Sequence, residues 1–425
     1  MDAAFILTLS KVLAAFVVML GGLRLKLPIG PAILLGSLVM GLLFGLGPLQ
    51  WLLAGIKAVL SLESLLFLAI VALIMVLSNL LEQTGQGMRI MQAISKYLYW
   101  PKLRLVFFPA LIGLLPMPGG AVFSAPMVKS ASAGFDIRAQ KLALLNYWFR
   151  HIWELVWPLY PGFILAVHLG EISVNELLFK TWPSIFICLL LGWFFFLRPG
   201  ELRPSKSKED IPSLNQTGSV LRESLPLITA VLGTLSLEAL ISHLSLELPL
   251  EAGFLLALFL SILICIFQNR LAPSNILKPF KQKHLYQMLL ALVAIFVFKE
   301  VLDKTDVAGS LAQGSGNSAA LFFVSIFLPL LVGLIAGLTL AFVGSTFPLI
   351  LGIAQHLGLQ DITPYLVLAL FAGYAGVLGS PLHICLLLTC EYFQVGLFSV
   401  WKRLALPCLI FLFLGAFYSW FLILL

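Results

Sequence analysis

Apolar residues form long unbroken runs along this chain, at 3–20, 30–48, 57–82, 103–131, 139–167, 177–197, 224–243, 251–268, 284–302, 320–356, 362–389 and 402–424. Continuous runs approaching ~20 residues, without strict alternation, predict membrane-spanning helices and exclude a transmembrane β-barrel. Two runs carry helix-breaking residues inside them. Pro116-Met117-Pro118-Gly119-Gly120 cuts 103–131, and the stretch Gly337 to Pro348, containing Gly344-Ser345-Thr346, interrupts 320–356. As helix, each arm of the first run would rise only about 20 Å, short of the ~30 Å hydrocarbon core. Broken backbone at that depth survives only where protein or a water-filled cavity satisfies it. Both runs therefore predict re-entrant hairpins whose two ends lie on one side.

Charge placement extends the picture. Most of the 26 basic residues fall in 21–29, 83–104, 129–141, 198–223, 269–283 and 390–403, while the loops between them hold only Lys304. Cytoplasmic loops collect Lys and Arg, and the pattern closes only if neither 103–131 nor 320–356 crosses. The expectation is an all-α polytopic protein with ten transmembrane helices, two re-entrant hairpins entering from opposite faces, and both termini outside. Leu81-Glu82-Gln83-Thr84 is echoed by Leu302-Asp303-Lys304-Thr305, Pro126 by Pro348 and Pro158 by Pro381, at separations of 221, 222 and 223 residues. Five spanning helices per half would force the second half to insert upside down, an inverted-topology repeat. The halves are 1–197 and 224–425, joined by a polar cytoplasmic linker at 198–223 with Pro199-Gly200, Pro204 and Pro212.

Composition agrees: 60% of residues are hydrophobic, 11% are charged and mean hydropathy is +1.05. The net charge of +7 follows from the loop bias, so nucleic acid is not an expected partner. Cys188, Cys265, Cys385, Cys390 and Cys408 all sit in apolar runs without metal or redox spacing, and read as small buried hydrophobes. Met1-Asp2 lacks a basic signal-peptide start and Lys11 interrupts the first run, so that helix is expected to be retained. Trp51, Trp100, Trp182 and Trp401 sit near predicted helix ends, as interfacial aromatics do. No enzyme, metal or cofactor motif is present, and no cofactor is expected.

Candidate chemistry gathers at the breaks. Gly119, Gly120 and Ser124 would place free N–H groups at a helix start in the first hairpin, and Gly344, Ser345 and Thr346 would do so in the second. The helix after each hairpin is itself interrupted, at Trp157-Pro158-Leu159-Tyr160-Pro161-Gly162 and at Gly376-Val377-Leu378-Gly379-Ser380-Pro381. Four helix ends meeting near the midplane suit a carboxylate or other small oxyanion. The bland alternative is that these Gly and Pro residues only permit kinks and close packing.

Before Pro158 the chain reads Asn146-Tyr147-Trp148-Phe149-Arg150-His151-Ile152-Trp153-Glu154. Ionisable residues at that depth are costly and seldom face lipid. Arg150 is the candidate for substrate charge, and Glu154 or His151 the candidate proton carrier. Four-residue spacing also allows Arg150 and Glu154 a purely structural ion pair. His383, past the second interruption, either caps carbonyls or contacts substrate. Lys11 and Glu63 are read as partners or as snorkelling ends, and Glu238 and His243 as a solvated helix end.

The segments Pro116 to Pro126, Asn146 to Gly162 and Gly373 to His383 resemble the prokaryotic integral-membrane family catalogued as domain of unknown function 401, of the ion transporter superfamily. The resemblance covers essentially the whole chain. It implies opposed hairpins, an inner-membrane location, a frequent homodimer, and substrates such as dicarboxylates, citrate, gluconate or inorganic ions, held with a coupling ion at Gly119–Ser124 and Gly344–Thr346. Sodium-coupled dicarboxylate carriers of that superfamily place Ser-Asn-Thr at both tips, whereas neither tip here has Asn, which turns the expectation from sodium toward protons. The expected function is secondary transport of a small anion, with Asn146, Ser380 and His383 completing the site. A cation/proton antiporter on the same scaffold is the first rival, and an intramembrane enzyme using Ser380 and His383 a remote one.

Overall fold

The computed structural model describes residues 3–95, 101–115, 120–133, 135–197, 203–204, 219–243, 250–315 and 318–424. The apolar runs are helices. The only strand pairing among the described residues joins Phe135–Asp136 to Arg203–Pro204. Nine helices among the described residues are long and apolar enough to cross a membrane, and the chain is a multi-pass helical membrane protein. Most of the 198–223 linker, with Gly119 and Trp100, lies outside the described residues.

Several runs divide where the backbone loses a donor or gains a turn. The run at 30–48 stops early: Ile29–Leu43 ends before Gly45, whose φ is +85°, and Pro48 opens a separate helix, Pro48–Leu60. Pro at a first helical position forfeits an N–H that would have no partner anyway. Ser61 then caps Leu62–Gln83 through the Ser64 amide at 3.2 Å. The run at 139–167 becomes Ala139–Arg150 and Pro161–Gly170, with turns between. That at 362–389 becomes Thr363–Leu378 and Ile384–Tyr392. The second interruption falls on the Pro-Gly cluster that predicts it, while the first opens at His151, ahead of Trp157-Pro158, and runs through its cluster to Pro161.

The first broken run consists of Pro101–Gly113 and Ala121–Ala131, packed on one another. The second differs from expectation. Its break is at Gly337 and Leu338, between Ser318–Ala336 and Thr339–His356. Gly337 has φ +63°, a left-handed conformation that a side chain strains, and its amide closes the preceding helix on Gly333 O at 2.8 Å. Gly344, Ser345 and Thr346 are therefore inside a continuous helix and do not form a tip. Ser345 Oγ donates to Ala341 O at 2.7 Å and Thr346 Oγ1 to Phe342 O at 2.8 Å. A hydroxyl that bonds its own helix leaves the ladder intact.

The helices that bear the breaks are the innermost. Every residue of Thr363–Leu378 is buried, as is every residue from Lys141 to Arg150 and all but three of Thr339–His356. A helix apolar on all sides belongs in a protein interior. Outer helices such as Leu397–Leu424 carry exposed Phe413, Phe417, Trp420 and Phe421 toward the lipid side. A polar staple holds one end of the bundle: Arg89 Nε donates to Glu223 Oε2 at 2.8 Å and Nη2 to Asn269 Oδ1 at 2.6 Å.

Candidate functional site

The four breaks are stitched together by side chains. From the segment following Arg150, Tyr160 donates to Gly113 O at 2.5 Å and Trp153 Nε1 to Ala110 O at 2.8 Å, gripping the end of the first arm. Asn146 Nδ2 donates to Ala121 O at 3.1 Å and to Thr389 Oγ1 at 3.0 Å, tying the second arm to Ile384–Tyr392. Thr339, opening the helix after the Gly337 break, donates to Glu154 Oε1 at 2.5 Å. His383 Nδ1 meets Gly337 O at 2.6 Å. Helix-end carbonyls and amides lack intrahelical partners, and in this fold each break supplies what another lacks.

At the centre lies a compact polar cluster. Arg150, His151, His383 and Cys385 are all buried. His151 Nε2 and His383 Nε2 are 3.0 Å apart. Arg150 Nη1 lies 3.3 Å from Cys385 Sγ and 3.4 Å from His151 Nε2. The guanidinium rests so close to Gly120 that a methyl group there would collide with it. Glycine here leaves room for close approach: it lets Arg150 reach the backbone at the start of Ala121–Ala131.

Of the residues singled out by sequence, Gly120, Asn146, Arg150, His151, Glu154 and His383 are brought together by this network. Ser124, Ser345 and Thr346 are buried, but their hydroxyls bond carbonyls of their own helices. Ser380 accepts from the Leu382 amide at 3.2 Å and shapes the turn. Glu154 is paired with Thr339 and not with Arg150, because the helix ends at Arg150 and the four-residue spacing no longer puts both on one face. Lys11 sits over the Phe44 ring, 5.0 Å from its centroid, instead of meeting Glu63.

Three participants escaped the sequence reading. Cys385 passes there for a packing residue, although its position two after His383 was a usable hint. Tyr147 and Tyr374 bind helix ends across the interface, the first to Leu378 O at 3.0 Å and the second to His151 O. Nothing local marks either.

A model of the family described as "Protein of unknown function (DUF401)" matches residues 8–422. The chain belongs to the DUF401 family. No curated protein matches it.

A cavity of about 420 Å³ lies apart from the polar cluster, lined by Glu63, Phe67, His168, Glu171, Glu251 and Lys299 among others. His168 stacks on Phe67 at 4.5 Å between centroids and stands 3.9 Å from Glu251 Oε1. The cluster, unlike the cavity, holds the buried polar groups on which the helix ends converge, and it is the better candidate site.

Proposed function

We propose that the protein is a secondary active transporter of a small anion, with carboxylates as the first class to test, working by alternating access and driven by protons. One observation carries the reading: the buried Arg150 guanidinium lies against Gly120, where one broken helix starts, at the end of another. A charge at membrane depth is costly and marks substrate and ion pathways. Helix starts at Ala121, Pro161, Thr339 and Ile384 add the positive ends of four dipoles, which favour anions. A planar guanidinium matches a carboxylate through two parallel hydrogen bonds.

In this reading 103–131 and 320–356 are hairpins entering from opposite faces, ten other helices span, and 1–197 and 224–425 form an inverted repeat. Both termini lie outside a prokaryotic inner membrane, and two copies pair. Support comes from the basic-loop pattern and from the repeated offset, which carries Leu115 onto Gly337 and Pro116 onto Leu338. The test is thermal stabilisation of purified protein by a panel of mono-, di- and tricarboxylates and inorganic anions, followed by uptake into proteoliposomes under a proton gradient. Stabilisation by an anion that vanishes in Arg150→Ala supports the reading. An unresponsive panel, with uptake absent, overturns it.

A cation/proton antiporter is the second reading, favoured by Glu63, Glu171 and Glu251 around the 420 Å³ cavity. Carboxylates there would draw cations and repel anions. Cation-dependent stabilisation that survives Arg150→Ala would select it.

A further inference from the structure

We infer that His151 and His383 together hold one proton between their Nε2 atoms, and that this shared proton is the coupling ion. The inference rests on the transporter reading for its role in transport, though the proton site itself stands on geometry. His151 Nδ1 lies 2.6 Å from Tyr147 O, and His383 Nδ1 lies 2.6 Å from Gly337 O. A carbonyl oxygen only accepts, so each Nδ1 must carry a hydrogen. In a neutral imidazole the other nitrogen is then a bare acceptor. Two such acceptors face one another at 3.0 Å. Lone pairs do not meet at that distance unless a cation lies between them. One proton turns the contact into an N–H···N hydrogen bond of ordinary length.

A metal ion fits less well. Zinc binds imidazole nitrogen at about 2.0–2.1 Å in a tetrahedron, which would hold the two nitrogens some tenths of an ångström further apart. His151, His383 and Cys385 do bring three ligand atoms within 4.8 Å of one another. However, the Arg150 guanidinium occupies the neighbourhood, 3.3 Å from the sulfur, where it would repel a divalent ion.

The surroundings explain how the proton and an anion help each other. Facing the pair are Arg150 at 3.4 Å from His151 Nε2, the Cys385 thiol, the Tyr147 ring at 4.8 and 5.5 Å from the two imidazoles, and the Tyr374 hydroxyl on His151 O. Glu154, held by Thr339, is the nearest carboxylate in sequence. Arg150 opposes a positive charge on the pair. An anion on Arg150 cancels that opposition, so anion and proton bind together, and by linkage each raises the affinity for the other. Loss of the proton would drive the two rings apart, separating the segment after Arg150 from the Gly337 break. In this inference the coupling proton sits on the histidine pair, and Glu154 holds the Thr339 hydroxyl.

The test is solid-state ¹⁵N NMR of histidine-labelled protein in lipid bilayers at pH 7.5, without added anion. The chain has six histidines, so a single pair with both Nδ1 protonated and one hydrogen shared across two Nε2 atoms is resolvable in the wild type alone. His151→Asn and His383→Asn should each abolish it, assigning the pair. Absence of the shared-hydrogen signal, or metal bound at one ion per chain by elemental analysis, overturns the proton site. For coupling, an anion identified by the stabilisation panel should lose affinity by about tenfold per pH unit over the range in which the shared-hydrogen signal disappears. A pH-independent affinity overturns the coupling role. If no anion binds while the NMR signal is present, the transporter reading fails and the proton site remains.

Discussion

Tyr147 donates its phenol hydrogen to Leu378 O at 3.0 Å, and Tyr374 returns the gesture to His151 O. Leu378 ends Thr363–Leu378, and His151 caps Ala139–Arg150. Each interrupted helix thus bonds a carbonyl at its partner's end with a tyrosine placed one turn before its own end. Both hydroxyls are buried. Replacing Tyr147 by Phe strands Leu378 O in a dry interior, a cost of about 1–3 kcal/mol, whereas replacing Tyr374 leaves His151 O with the Glu154 amide at 3.3 Å. Thermal unfolding in detergent should show Tyr147→Phe several degrees less stable than wild type, and Tyr374→Phe less stable by a smaller margin. Unchanged midpoints would mean that the two bonds do not hold the interface.

Gly120→Ala tests the same contact as Arg150→Ala from the other side. Its methyl would displace the guanidinium without removing the charge. Anion affinity in the stabilisation assay should fall by at least tenfold, with expression and membrane insertion retained. Arg150→Lys should not restore it, because an ammonium lacks the planar fork. Full affinity in Gly120→Ala would place the anion elsewhere.

Glu154→Gln keeps an acceptor for the Thr339 hydroxyl and removes the charge. Stability should change little, and uptake should keep its dependence on the proton gradient. Glu154→Ala leaves Thr339 without its partner and should lower the unfolding midpoint. If Glu154→Gln uncouples uptake from pH while the His151–His383 signal persists, the proton is carried by Glu154.

Gly337→Ala places a side chain in left-handed backbone, at about 1–2 kcal/mol, and puts a methyl 3.1 Å from His383 Cα. The variant should be destabilised and should lose anion stabilisation as the break distorts. Gly337→Asn, better tolerated at positive φ, should recover part of the stability.

How far the sequence reaches can be seen break by break. Pro158 with Pro161, and Pro381 with Gly379, announce their interruptions because proline withdraws a donor and clashes with the preceding turn. The second hairpin is harder. Gly344-Ser345-Thr346 has the composition of a tip, but Ser and Thr return their hydroxyls to the helix and Gly344 packs under Ile295. Gly337, alone and without proline beside it, is the true turn, and only the repeat offset from Leu115 singles it out. The Arg150–Glu154 pairing fails because helical spacing was extended past a helix end. His151 and His383 stand 232 residues apart, and no periodicity joins positions at such separation. What sequence exposes is where the ladder breaks; what it conceals is which break answers which.

The reciprocal tyrosine clasp has a consequence for biogenesis. During synthesis the first half emerges with the His151 carbonyl, Arg150 and Glu154 awaiting Tyr374, Cys385 and Thr339, which the ribosome has yet to make. Those groups must spend that interval in contact with water or a chaperoning insertase, so the amino-terminal portion expressed alone should be cut readily by protease until the remainder is supplied.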